Sequence, residues 1–97
     1  NWSNKTAYIG YWLGEEYQGN GIMTKVARAL TDYAFSELNL NKVEIRVATK
    51  NEKSRMVPER LSFVKEGSIR QAEWLYDHYV DHDVYGILAE EWNGKNQ

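Results

Sequence analysis

The stretch from Thr6 to Thr49 changes its hydrophobic period twice, and this constrains the fold more than any other feature of the chain. Thr6 to Leu13 reads TAYIGYWL, rich in aromatic and β-branched residues with large apolar groups on both faces, which predicts a buried strand. Ile22, Met23, Val26, Ala27, Leu30, Tyr33, Ala34 and Leu38 then recur at helical spacing, while Lys25, Arg28, Asp32 and Glu37 take the wet side. The predicted helix runs from Gly21 to Leu38 and ends in Asn39-Leu40-Asn41, because Asn tolerates the left-handed turn at a helix end. From Lys42 to Thr49, Val43, Ile45 and Val47 alternate with Lys42, Glu44 and Arg46, the pattern of a half-buried strand. Strand, helix, strand in this order implies a parallel, right-handed βαβ unit.

Asn51 is placed to cap a short helix reaching Leu61, with Pro58 inside it. Proline has no N–H for the carbonyl of Ser54, so a kink or loosening is expected there. Phe63 to Arg70 and Asp83 to Glu91 read as two further strands, and QAEWLYDHYVDH between them as an extended connection or strand start. The tail from Trp92 to Gln97 is polar and expected to fray. The fold class is therefore α/β (α+β), in the order β-α-β-α-β-β with a mixed sheet.

Composition narrows what such a unit can do. The 97 residues allow one compact core. Twelve basic against fourteen acidic residues give a net charge of −2, which argues against a strongly basic grip on nucleic acid. The absence of cysteine removes disulfides, thiolate metal sites and a cysteine nucleophile, and permits a reducing cytoplasm, the expected location. No apolar run approaches the roughly 18 residues of a membrane span, and Asn1 to Lys5 does not read as a signal peptide. With no initiator Met before strand-like sequence, the opening reads as a start inside a domain.

The chemistry-bearing segment is Gly14-Glu15-Glu16-Tyr17-Gln18-Gly19-Asn20-Gly21, between the first strand and the long helix. A glycine turn opening into a helix N-terminus is an anion site, since the first helical N–H groups lack internal partners and the helix dipole favours negative charge. A plain βα turn explains the same glycines. A nucleotide P-loop needs Lys and Ser/Thr where Asn20 and Gly21 stand. The dinucleotide fingerprint has its third glycine replaced by Thr24 and lacks the acid closing the second strand. Coenzyme A needs the same backbone cradle for its pyrophosphate and no ribose-reading acid.

Gln18-x-x-Gly21-x-Met23 resembles the acetyl-CoA loop of the GNAT family of N-acetyltransferases, with Met23 where the family has Gly or Ala. Asn51-x-x-Ser54 followed by Glu59-Arg60-Leu61-Ser62-Phe63 is similar to the family's next segment, with Ser62 in place of a glycine. Gly67-x-x-Arg70-Gln71-Ala72-Glu73 resembles the RimJ/RimL-like ribosomal-protein acetyltransferase branch. The resemblance implies a partial GNAT fold with a splayed parallel strand pair, residues 1–97 being the acetyl-CoA-binding C-terminal portion of one domain. It implies acetyl-CoA as cosubstrate, with Trp12 and Leu13 pairing to the pantetheine arm. Gln18, Gly19, Asn20, Gly21, Ile22 and Met23 would hold the pyrophosphate, and Asn51 the coenzyme arm. For Asn51 a simple helix cap is an equal reading, because both roles use the same oxygen.

The resemblance further implies acetyl transfer to a primary amine by direct attack, the acceptor being a protein or peptide N-terminus or a small amine. Ser54 is then the acid or thiolate partner, and Glu73 the base, with Ala72 and Trp74 available to desolvate it. A solvated glutamate on a connection is the plain alternative for Glu73. His78 and His82 would chelate a metal only on a helix; in extended chain they stand roughly 13 Å apart, so no metal is expected. A CoA-binding or assembly module without turnover is the alternative function. The first strand would leave an apolar edge, so a homo-oligomer or a complementary N-terminal segment is expected to cover it. Neither nucleic acid nor membrane is expected as a partner.

Overall fold

A computed structural model of the protein describes residues 5–9 and 21–95. The elements are β1 (Thr6–Ile9), α1 (Ile22–Ser36), β2 (Lys42–Ala48), α2 (Glu52–Arg60), β3 (Val64–Leu75), β4 (His78–Leu88) and α3 (Ala89–Lys95). They form a four-stranded sheet in the order β1-β2-β4-β3. β1 lies parallel to β2, joining the two ends of a βαβ unit, and the other pairs are antiparallel. The mixed sheet and the element order match the expectation from sequence, with α3 added at the end.

Alternation assigns the faces. Val43, Ile45 and Val47 of β2 stand opposite Ile87, Tyr85 and Asp83 of β4, and all six are buried. Ala27, Ala34 and Phe35 of α1 and Val57 of α2 close over this face. The small residues Ala27, Thr31 and Ala34 let α1 approach closely, and the buried Thr31 hydroxyl is satisfied by donating to the Ala27 carbonyl at 2.7 Å. Arg46 and Ala48 point to the opposite face, as do Val84 and His82, their register partners.

The apolar stripe of α1 divides differently from the sequence expectation. Ala27, Thr31, Ala34 and Phe35 are buried, whereas Ile22, Val26, Leu30 and Tyr33 are exposed. The stripe is wider than one sheet contact can cover, which leaves its second half exposed among the described residues. β1 likewise forms a sheet edge among the described residues, paired only to β2.

Helix ends behave as their residues dictate. Asn39 takes φ 54 after α1, the left-handed conformation expected of it. Ser62, in place of the glycine of the motif it resembles, also takes a left-handed φ of 65, a conformation that disfavours a side chain by roughly 1–2 kcal/mol. α2 continues unbroken through Pro58 to Arg60, so the missing N–H does not end the helix.

Near the C-terminus the segment QAEWLYDHYVDH is extended, as expected, and the strands run further into it than Arg70 and Asp83: β3 extends to Leu75, Tyr76 and Asp77 turn, and β4 begins at His78. The tail does not fray at Trp92, which is 3% exposed and packs against Phe35 and Phe63 at centroid distances of 6.4 and 6.3 Å. β4 stops at Leu88 because Glu91 turns back to accept the Leu88 N–H at 2.9 Å, half of a capping box that starts α3.

Candidate active site

Asn51 begins α2 as its N-cap, its Oδ1 accepting the Ser54 N–H at 3.1 Å. The cap engages the backbone of Ser54, not its hydroxyl, and Ser54 is buried. The helix is tied to the sheet by the Tyr85 hydroxyl, which donates to Glu59 Oε2 at 2.9 Å. Burial, and next the Glu59 carboxylate, push the Tyr85 phenol up to about 12, so it stays a neutral donor.

Asn51 and Ser54 open into a cavity of about 560 Å3. Its other walls come from the sheet: Ile9 of β1, Arg46 and Ala48 of β2, Glu73 of β3 and His82 of β4. The cavity thus joins the start of α2 on one side of the sheet to the Glu73 and His82 face on the other. Glu73 Oε1 lies 3.1 Å from His82 Nε2, with the carboxylate half-exposed. By alternation Trp74 points to the face opposite Glu73, where its ring stacks edge-on with Tyr79 at 5.0 Å.

Beside the cavity, Asp83 locks β2 to the hairpin. Its Oδ1 accepts from Thr49 at 2.9 Å and from Ser68 at 2.8 Å, and Lys65 Nζ lies 3.6 Å from Oδ2. Burial alone would raise this carboxyl; the two hydroxyls and Lys65 outweigh it and hold it below the ordinary value of 3.8. Thr49 leads directly into Lys50 and Asn51, so the Asp83 knot fixes where α2 begins.

At the start of α1, Gly21 is the N-cap with φ 84 and provides no side-chain cap. Among the described residues, a Cβ at Gly21 would meet nothing within 4 Å. The Thr24 hydroxyl in the first turn is buried, with no hydrogen-bond partner among the described residues. A helix N-terminus whose cap residue has no side chain, with the Thr24 hydroxyl beside it, fits an anionic group such as a pyrophosphate. Ile22 and Met23 form the first helical residues there. Trp12, Leu13, Gln18, Gly19 and Asn20, the other residues expected to hold the coenzyme, lie outside the described residues.

Of the expected site, Asn51, Ser54 and Glu73 share one cavity, and Gly21, Ile22 and Met23 form a separate helix start. His82 and Arg46 are wall residues the sequence reading did not assign to the site. Their signal was the alternation of β2 and β4, which places them on one face once the register is known. The two imidazoles have different partners, His78 pairing with Asp77 at 2.8 Å and His82 with Glu73. Among the described residues, no group of three or more His, Cys, Asp or Glu could hold a metal ion. Among the same residues, no helix is long and apolar enough to cross a membrane.

Residues 1–64 match the family model described as the acetyltransferase (GNAT) domain. The chain belongs to the GNAT acetyltransferase family, as the βαβ unit and the motif residues around the cavity imply. It is 48% identical over 94 residues to the putative ribosomal N-acetyltransferase YdaF of Bacillus subtilis, covering 95% of this chain and 50% of that protein. A crystal structure of a probable acetyltransferase superposes with a TM-score of 0.88 at 44% identity, covering 95% of this chain and 52% of that one. Spermidine/spermine N-acetyltransferase SpeG from Vibrio cholerae superposes with a TM-score of 0.86 at 27% identity, covering 100% of this chain and 57% of that one. The chain spans about half the length of the curated relatives it matches.

Proposed function

We propose that this chain supplies the coenzyme-holding and proton-transfer part of an N-acetyltransferase that moves acetyl from acetyl-CoA to a primary amine by direct attack. The observation that carries this reading is the single cavity into which α2 brings Asn51 and Ser54 and β3 brings Glu73. Bound acetyl-CoA would supply a thioester carbonyl open to an amine.

The residues then divide the work. The N–H groups at Gly21, Ile22 and Met23, with Gln18, Gly19 and Asn20 before them, hold the pyrophosphate. Trp12 and Leu13 offer backbone groups to the pantetheine arm. Asn51 uses its oxygen for the helix cap, so its amide NH2 is the group left for the coenzyme. Glu73 takes a proton from the ammonium form of the acceptor, because only the free amine is nucleophilic. Ser54 donates toward the departing sulfur.

The acceptor is a peptide or protein N-terminus, or a small polyamine. The names of the relatives, a ribosomal N-acetyltransferase and a spermidine/spermine N-acetyltransferase, support both classes. The β1 edge and the outer stripe of α1 are covered by a second copy or by a complementary N-terminal segment, a reading supported by the exposed apolar residues Val26 and Leu30.

Thiol release from acetyl-CoA, measured with a free-N-terminus serine peptide and with spermidine, tests the reading. Turnover with either amine supports it. Coenzyme binding by calorimetry with no thiol release would instead favour a binding module without turnover, and absence of binding would overturn both.

A further inference from the structure

The β3–β4 hairpin is not a regular ladder. Val64 faces Gly86 and Lys65 faces Tyr85, Glu66 is skipped, and pairing resumes with Gly67 facing Val84. A larger irregularity follows: Ile69 faces His82 and Glu73 faces Val80, so Arg70, Gln71 and Ala72 stand against Asp81 alone. The surplus of two residues is even. Alternation therefore resumes with Glu73 on the same face as Ile69, Val80 and His82, whereas a surplus of one would have turned Glu73 to the other face.

The surplus backbone is pinned. Gln71 takes φ 47, a left-handed conformation costly for a residue with a side chain, and its N–H donates to Asp81 Oδ1 at 2.8 Å. Past the bulge, Glu73 Oε1 meets His82 Nε2 at 3.1 Å. The two differ in exposure, 50% for the glutamate side chain and 18% for the imidazole. His82 is thus the anchored partner, on a strand flanked by β2 and β3, and Glu73 the group being held. Arg46, on the wall of the same cavity, is drawn over the Tyr8 ring at 5.9 Å.

We propose that Asp81 and His82 are positioning residues that aim Glu73 into the cavity. Asp81 fixes the backbone of the bulge, and His82 holds one carboxylate oxygen so that the other faces the incoming ammonium. This rests on the reading of Glu73 as the base. A half-exposed glutamate samples several rotamers, and a base displaced by about 1 Å loses on the order of a hundredfold in rate, so the clamp converts a mobile carboxylate into an oriented one.

Imidazole 15N NMR on the intact protein reads the clamp without turnover. Glu73→Gln is expected to move the His82 nitrogen signals and leave those of His78 in place; unmoved His82 signals would overturn the proposal. Thiol release with acetyl-CoA and either the serine peptide or spermidine reads its consequence. His82→Ala and Asp81→Ala should each lower kcat roughly tenfold to a hundredfold, with the KM for acetyl-CoA within about twofold. His82→Gln and Asp81→Asn keep a donor to Glu73 and an acceptor for Gln71, so each should recover most of the loss. If His82→Ala leaves kcat unchanged while Glu73→Gln removes activity, the clamp is wrong and the base reading stands. Intact turnover in Glu73→Gln defeats the base reading itself. His82→Gln as slow as His82→Ala would show that the imidazole acts through its proton, which overturns a positioning role.

Discussion

Trp92 Nε1 donates a hydrogen bond to Asp32 Oδ1 at 2.7 Å, joining α3 to α1 across sixty residues of chain. The same indole fills the space between Phe35 and Phe63, so the C-terminal helix belongs to the core. Trp92→Ala is expected to cost about 3–5 kcal/mol, the range for deleting a buried aromatic. Asp32→Ala removes only the hydrogen bond and should cost about 1 kcal/mol. Urea denaturation followed by circular dichroism measures both, and an unchanged midpoint for Trp92→Ala would place α3 outside the core.

Asp83 gives stability a defined dependence on pH. Its carboxyl is held below the ordinary 3.8 in the folded protein, so the folded state favours the ionised form. The contribution is therefore fully present above the ordinary value and is lost as pH falls below it through the lower folded value. Thermal unfolding between neutral pH and pH 2 should show this decline, and Asp83→Asn should flatten it. Asp83→Ala, which leaves the Thr49 and Ser68 hydroxyls facing an empty site, should cost about 1–3 kcal/mol at neutral pH. Equal slopes in the parent and in Asp83→Asn would show that other carboxyls govern the acid limb.

Gly21 tests the coenzyme cradle. Its φ of 84 penalises any side chain, yet among the described residues a Cβ there meets no atom within 4 Å. Gly21→Glu puts a carboxylate where a pyrophosphate would sit, and acetyl-CoA affinity by calorimetry should fall at least roughly tenfold through like-charge repulsion. Gly21→Ala should show a smaller loss. Circular dichroism should stay that of the parent in both. Unchanged affinity in Gly21→Glu would move the pyrophosphate site elsewhere.

The acid and base assignments separate by variant. Glu73→Gln should lower kcat by about 10²–10⁴, the usual range for losing a general base, with acetyl-CoA binding unaffected. Ser54→Ala should have a smaller effect, on the order of tenfold, because water can substitute as a donor. The backbone N–H that Asn51 caps is retained in Ser54→Ala, so α2 should stay folded. Intact turnover in both variants would remove these two residues from the chemistry.

Much of the fold was legible from local pattern. The change of period between Thr6 and Thr49 predicted β1, α1 and β2 and their parallel pairing, since spacing of apolar residues reports directly on which groups can share a face. Asn51 was legible as a cap because an Asx oxygen three residues before an N–H can reach it without tertiary help. The hairpin turn at Tyr76 and Asp77 was not, because it has no glycine or proline and its residues suit an extended chain equally well. Trp92 was misjudged because its polar neighbours dominate the local composition, whereas its burial depends on Phe35 and Phe63, distant in sequence.

By itself the sequence determined the element order through the fourth strand, the Asn51 cap, the glycine opening α1 and the family to which the motif spacing belongs. These depend on contacts within a few residues, whose geometry is a property of the residues themselves. Only the tertiary structure decided that the Glu73 carboxylate meets His82. That outcome depends on an even surplus of residues in β3 against β4, and strand register is set by the packing of the whole sheet.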